Sequence, residues 1–161
     1  DEAGVGMTAV IYLADGSGSV TLRSTDPESQ PNIDFNYLAE ENDRTRLREA
    51  VYMCLDLAKE DSYKDIIDQL VKPAPEDLES DATLDDWLLR YVRTSHHGSG
   101  TCKMGPTTDP ESVVDNAGRV HGLSNLRVVD ASIMPDCVRA NTNVTTMVIG
   151  ERVADLIRGG S

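Results

Sequence analysis

Thr94-Ser-His-His-Gly-Ser-Gly-Thr-Cys-Lys-Met-Gly105, read together with Arg139-Ala-Asn-Thr-Asn-Val-Thr145, decides how this chain is organised. Two adjacent histidines enter a turn of glycine and small hydroxyl residues, where side chains fill little space and backbone amides lie open. Such a stretch is better suited to a site than to a core. Imidazole is the side chain that holds or releases a proton most readily near neutral pH. Gly98 and Gly100 are expected to bring the backbone close to a ligand in conformations that a β-carbon forbids. Asn141 and Asn143 stand just before an apolar helical pattern beginning at Val144, where an amide either caps the helix or hydrogen-bonds a ligand.

The chain has 161 residues, enough for one compact domain or for part of a larger one. Fifteen Lys and Arg against 28 Asp and Glu give a formal net charge of −13. A field of that sign repels phosphate backbones and anionic membrane surfaces, so nucleic acid is not an expected partner. No apolar run approaches the length of a membrane span, and the N-terminus lacks the basic and hydrophobic regions of a signal peptide. The expectation is no membrane segment and a cytoplasmic location. The cysteines Cys54, Cys102 and Cys137 form no C-x-x-C pair and indicate no disulfide framework; with His96 and His121 they match no common zinc spacing, so no metal is expected. One Phe and one Trp are few for a free-standing domain of this size, so the core is expected to be finished against another polypeptide.

Periodicity gives the elements. Met7 to Leu13 is strand-like, Asp15-Gly-Ser-Gly-Ser19 is a turn signal, and Val20 to Ser24 alternates, so a hairpin is expected there, with a further extended piece at Ile33 to Tyr37. Leu47, Val51, Cys54, Leu55 and Ala58 recur at helical spacing and predict a helix over 43–59. A shorter helix is expected over 62–71, ended by Pro73 and Pro75, and another over 83–92 through Leu84, Trp87, Leu88 and Tyr91. The acidic stretch 75–81 reads as a solvated connection, and 106–116 as irregular and exposed. Leu126 to Val129 reads as a short buried strand ending on Asp130, where open α/β sheets place ligand contacts. The last helix, 144–158, is expected to bury Val144, Met147, Val148, Ala154 and Ile157.

At these residues a resemblance emerges. The stretch Ser95 to Gly105, then Val113-Val-Asp-Asn-Ala-Gly-Arg-Val-His-Gly-Leu-Ser-Asn-Leu-Arg-Val-Val-Asp-Ala-Ser-Ile-Met-Pro135, then Asn141-Thr-Asn-Val-Thr-Thr-Met-Val-Ile-Gly-Glu-Arg-Val-Ala-Asp-Leu-Ile157 resembles the C-terminal region of the glucose-methanol-choline (GMC) flavoprotein oxidoreductases. The resemblance is dense over 95–157, and Asn32-Ile-Asp-Phe-Asn-Tyr-Leu38 is similar to the start of that region.

The resemblance implies an FAD enzyme that oxidises an alcohol to an aldehyde or ketone by hydride transfer to flavin. His97 corresponds to the family's catalytic base, Asn141 to its His or Asn partner, and His96 to a residue of the substrate pocket. Asp130 and Ala131 resemble the pair that meets the ribityl and phosphate part of FAD. Thr142, Asn143, Val144 and Thr145 correspond to contacts with the flavin ring at a helix start, made mainly by backbone. Thr145 stands where the family usually has proline. The family's G-x-G-x-x-G fingerprint is absent, so the implied partner is the N-terminal FAD-binding portion of the same enzyme.

The implied fold is α+β: an antiparallel sheet backed by helices in a substrate-binding portion over 1–93, an active-site histidine loop and connection over 94–125, and a strand-helix segment over 126–161 that completes a Rossmann-like FAD domain. Non-redox chemistry, as in the hydroxynitrile lyases of the family, and an inactive isolated fragment are the alternatives. A Ser/His hydrolase would need a G-x-S-x-G elbow, which Gly98-Ser-Gly does not supply.

Overall fold

The computed structural model describes residues 4–160 and divides into two compact units, Asp1–Arg93 and Thr94–Ser161. Among the described residues the fold is mixed, with three α-helices and a two-stranded antiparallel sheet.

In the first unit, β1 (Ser19–Thr21) pairs with β2 (Asn32–Asp34), with Val20 opposite Ile33. The hairpin partner of the Val20 strand is therefore not Met7 to Leu13, which forms no strand. The Asp15-Gly16 turn has another task. Its two amides donate to the Asp43 carboxylate at 3.0 and 2.9 Å, and Arg46 takes the carbonyls of Leu13 and Tyr12 at 2.9 and 2.6 Å. All six strand residues are exposed, so the sheet is not backed by helices as expected.

Helix α1 (Glu41–Leu57) and helix α2 (Asp81–Tyr91) carry the unit's core. Leu38, Leu84 and Leu88 are buried together, and Leu47 and Val51 of α1, Trp87 of α2 and Tyr37 pack against them. Ser80 starts α2 through a capping box: Thr83 N–H donates to its hydroxyl at 3.2 Å, and the Thr83 hydroxyl accepts from Ser80 N–H at 3.0 Å. Arg48 clamps the two helices. It is 8 % exposed, donates to Asp85 and to Glu41 at 2.8 Å, and bonds Thr45 Oγ1 at 3.0 Å.

The helix expected over 62–71 is reduced to a single 3-10 turn, Asp61–Tyr63. Its apolar residues Ile66, Leu70 and Val71 stay exposed, and a short helix with no packed face is not stable alone. The 75–81 connection holds a second 3-10 turn, Pro75–Leu78, in which Ala74 N–H donates to Asp77 at 2.9 Å.

The second unit is built on a loop-on-loop ladder and one helix. The amides of Gly100, Cys102 and Met104 donate to the carbonyls of Ala131, Ser132 and Ile133 at 3.3, 2.9 and 2.8 Å. Those three acceptors form the 3-10 turn Ala131–Ile133. The stretch 106–116 is irregular, yet it is not wholly exposed, because Val114 is fully buried and bridges to Met104 and Val120. The expected strand 126–129 is only a bridge between Arg119 and Arg127, and Leu126 is exposed. Helix α3 (Thr142–Arg158) closes the unit against that 3-10 turn. Its inward residues are Thr142 and Val153. Val144, Met147, Val148 and Ile157 are exposed, between 54 and 64 %, so the buried stripe runs along another face than the one periodicity indicated.

Candidate active site

Every residue singled out as a site residue lies in the second unit. The ladder determines where the histidine loop runs. Gly100 has φ +82°, a region that side chains rarely enter, and this lets its amide reach the Ala131 carbonyl. Gly98 shows no such requirement: its φ is ordinary and a β-carbon there would meet nothing within 4 Å. His96 is the residue held in the left-handed region, with φ 65°, and its N–H donates to the Thr94 hydroxyl at 3.0 Å. A left-handed non-glycine residue costs on the order of 1 kcal/mol and clusters at functional sites. Nothing in the sequence flagged it.

His97 is half-buried and His96 exposed. The His97 ring presents Nδ1 to the Thr142 hydroxyl at 3.4 Å, across 45 residues of sequence. Its carbonyl accepts from the Cys137 thiol at 3.7 Å. The two motifs of the sequence therefore meet, through Thr142 rather than through Asn141. Asn141 occupies the N-cap of α3 but makes no side-chain cap bond and is exposed, so its amide is left for another partner.

The residues can be tested for fit to FAD. The first four N–H groups of a helix have no partner within it and carry the positive end of the macrodipole. At α3 the cap side chain leaves them open, the first turn holds no acidic residue, and Asn143 and Val144 are exposed. That is a fitting cradle for the electron-rich edge of a flavin ring. Thr145 lies one position past those amides and lines a cavity of 160 Å³ with Met104, Ile133 and Val153. Asp130 uses Oδ1 to accept from Ser132 N–H at 2.8 Å and from the Ser132 hydroxyl. Its Oδ2 has no bond among the described residues, so one oxygen remains for a ribityl hydroxyl. Ala131 holds Gly100 and Met134 through its carbonyl.

Another concavity of the unit, 510 Å³, is lined by Met104, Gly105, Pro106, Thr107, Asp115, Asn116 and His121. None of the expected site residues lines it. His121 there is paired through Nε2 with the Gly105 carbonyl at 3.0 Å, a role that tethers the loop. Among the described residues no group of side chains could hold a metal, the three cysteines are free, and no helix is long and apolar enough to cross a membrane.

Comparison with known proteins follows the same motifs. The sequence is 44 % identical over 142 residues to oxygen-dependent choline dehydrogenase of Klebsiella pneumoniae, and 39 % identical over 142 residues to oxygen-dependent choline dehydrogenase 1 of Chromohalobacter salexigens; each match covers 88 % of this chain and 25 % of the relative. Among solved structures, a variant of formate oxidase from Aspergillus oryzae RIB40, solved for the effect of the mutation on FAD modification, superposes with a TM-score of 0.83 at 33 % identity, covering 91 % of this chain and 25 % of the other. Pyridoxine 4-oxidase of Mesorbium loti does so with a TM-score of 0.79 at 34 % identity, covering 88 and 27 %. The chain thus spans about a quarter of the length of these relatives. A family model for the C-terminal region of the GMC oxidoreductases matches residues 14–150, and with the histidine loop, the 3-10 turn and the open helix start all in place, the chain belongs to the GMC oxidoreductases, a family of FAD flavoproteins.

Proposed function

We propose that this chain is the active-site portion of an FAD-dependent enzyme that oxidises an alcohol to an aldehyde or ketone, with His97 as the base. The observation that carries the reading is the 3.4 Å approach of His97 Nδ1 to Thr142 Oγ1. It sets the imidazole beside the open N-terminus of α3, the cradle that fits a flavin. Two of the similar proteins are named for alcohols, choline and pyridoxine, which agrees with an alcohol substrate.

When bound, FAD supplies the acceptor for the hydride that leaves the alcohol carbon. The chain's own residues do the rest. His97 takes the hydroxyl proton, so that a carbon–oxygen double bond forms as the carbon–hydrogen bond breaks. Asn141, free of capping duty, donates to the same oxygen and holds the carbon in place. His96 borders the substrate. The first-turn amides at Thr142, Asn143 and Val144 face charge that gathers on the ring edge, with Thr145 one position past them, and Asp130 and Ala131 meet the ribityl and phosphate part. An FAD-binding portion of the same enzyme, with a Rossmann-like domain completed by residues 126–161, is the partner. The exposed apolar stripe of α3, Val144, Met147 and Val148, supports a packing partner at that helix.

The test is anaerobic mixing of the FAD-loaded protein with a panel of alcohols, choline first. Bleaching of the oxidised flavin is expected, and His97→Ala should slow it by about 10²- to 10⁴-fold while the oxidised spectrum before mixing is unchanged. A flavin that no alcohol bleaches, in a protein that cleaves cyanohydrins, would instead establish the non-redox lyase chemistry.

A further inference from the structure

The partner of a catalytic histidine's second nitrogen decides which nitrogen carries the proton. In this chain the Nδ1 partner is a neutral hydroxyl, Thr142 Oγ1, at 3.4 Å, able to accept from an Nδ1–H or to donate to an Nδ1 lone pair. Thr142 is well fixed for that duty. It is 7 % exposed, is the first residue of α3, and its carbonyl accepts from the Thr146 hydroxyl at 2.8 Å. Its β-branched side chain has few rotamers open to it. The His97 backbone is tied as well, since its carbonyl accepts from Cys137 Sγ at 3.7 Å. Among the described residues Nε2 of His97 has no partner.

A neutral imidazole has one N–H and one lone pair. If Nδ1 holds the hydrogen and donates it to Thr142, the lone pair stays on Nε2, which this chain leaves unoccupied. We propose that Thr142 is a positioning residue whose hydroxyl acts as the acceptor, holding His97 in the Nδ1–H tautomer and orienting the ring, so that Nε2 is the atom that accepts the substrate proton. This rests on the reading of His97 as the base, and it gives the Thr142 side chain a different role from its backbone, which lies among the helix-start amides. A hydroxyl does this without adding charge beside the flavin, as a carboxylate would.

The test uses the FAD-loaded protein labelled with 15N-histidine, at a pH where His97 is neutral. The His97 signals, assigned by their loss in His97→Ala, are expected to show an Nδ1–H tautomer. Thr142→Val should shift them toward the Nε2–H form that free histidine side chains prefer, and should lower kcat about 10-fold with little change in KM. Thr142→Ser, which keeps the hydroxyl, should restore both. An Nε2–H tautomer in the unsubstituted protein overturns the proposal, and that result depends on no variant folding. A Thr142→Val protein with unchanged tautomer and kcat overturns it too, while a slow His97→Ala protein leaves the base assignment standing. Normal turnover by His97→Ala removes the base reading, and this inference with it.

Discussion

Two glycines of the second unit form a natural matched pair. Gly118 and Gly122 both have φ +75°, so alanine at either one meets the same left-handed penalty, about 1 kcal/mol. Their surroundings differ. At Gly122 a β-carbon would meet nothing within 4 Å, whereas at Gly118 it would lie 2.7 Å from the Val128 carbonyl oxygen. That oxygen is backbone and cannot swing away. Its residue is also tied to Gly118 itself, because Val128 N–H donates to the Gly118 carbonyl at 2.9 Å. Relief therefore requires the two backbones to separate, which adds an overpacking cost of about 2 kcal/mol and the loss of one hydrogen bond, about 1 kcal/mol.

Gly118→Ala is accordingly expected to cost about 4 kcal/mol, and Gly122→Ala about 1 kcal/mol. Urea unfolding, monitored by a probe in the second unit and compared at constant slope, measures the difference. The functional consequence follows the same chain of contacts. Gly118 holds the segment that leads through Val128 to Asp130, so FAD should dissociate faster from Gly118→Ala than from Gly122→Ala. Equal stabilities of the two variants would refute the steric argument, since they share everything except the neighbour.

Two further outcomes concern the clamp between α1 and α2. Arg48→Met removes a guanidinium that bonds Asp85 and Glu41 at 2.8 Å; it should destabilise the first unit by about 1.5 kcal/mol, because the carboxylates it leaves are partly exposed and Arg44 Nε remains 3.7 Å from Asp85, as read by urea unfolding. Glu41 is held down from 4.5 to about 2 by hydrogen bonds from Arg48 and Arg44. A depressed carboxylate stabilises the folded state fully above its unfolded value and loses that contribution as the pH falls through the folded one, so Glu41→Gln should lower the melting temperature at neutral pH and flatten its fall between pH 4.5 and about 2. One molar salt should shrink the effect, because the carboxylate side chain is 66 % exposed.

The helices were legible in the sequence and their starts were not. All three begin two residues before the periodic reading, at Glu41, Asp81 and Thr142 instead of 43, 83 and 144. The reason is common to them: the first two residues of each, Glu41-Asn42, Asp81-Ala82 and Thr142-Asn143, are polar or small, so apolar spacing does not register them. The hairpin failed for another cause. Asp15-Gly-Ser-Gly-Ser19 has the composition of a tight turn, but a buried carboxylate 28 residues away, Asp43, captures its amides. Local turn chemistry carries no information about so distant an acceptor.

The histidine loop and the start of α3 were singled out from the sequence, but their contact with each other was not legible there. The family resemblance paired His97 with Asn141 at the substrate oxygen, and it did not indicate that the ring itself contacts the next residue, Thr142. At a helix start, neighbouring positions project to different sides, about 100° apart once the helical path is established. One of two consecutive polar residues can therefore turn inward to the base while the other stays on the open side. Here Thr142 is buried against the His97 ring and Asn141 is exposed and uncapped. On the proposed function, that division would let a single helix entrance serve both ring and substrate, with the buried Thr142 hydroxyl on the imidazole and the uncapped Asn141 amide left for the alcohol oxygen. A polar pair at 141 and 142 is thus more than a cap, and exchanging the two residues should cost activity even though composition and helix propensity barely change.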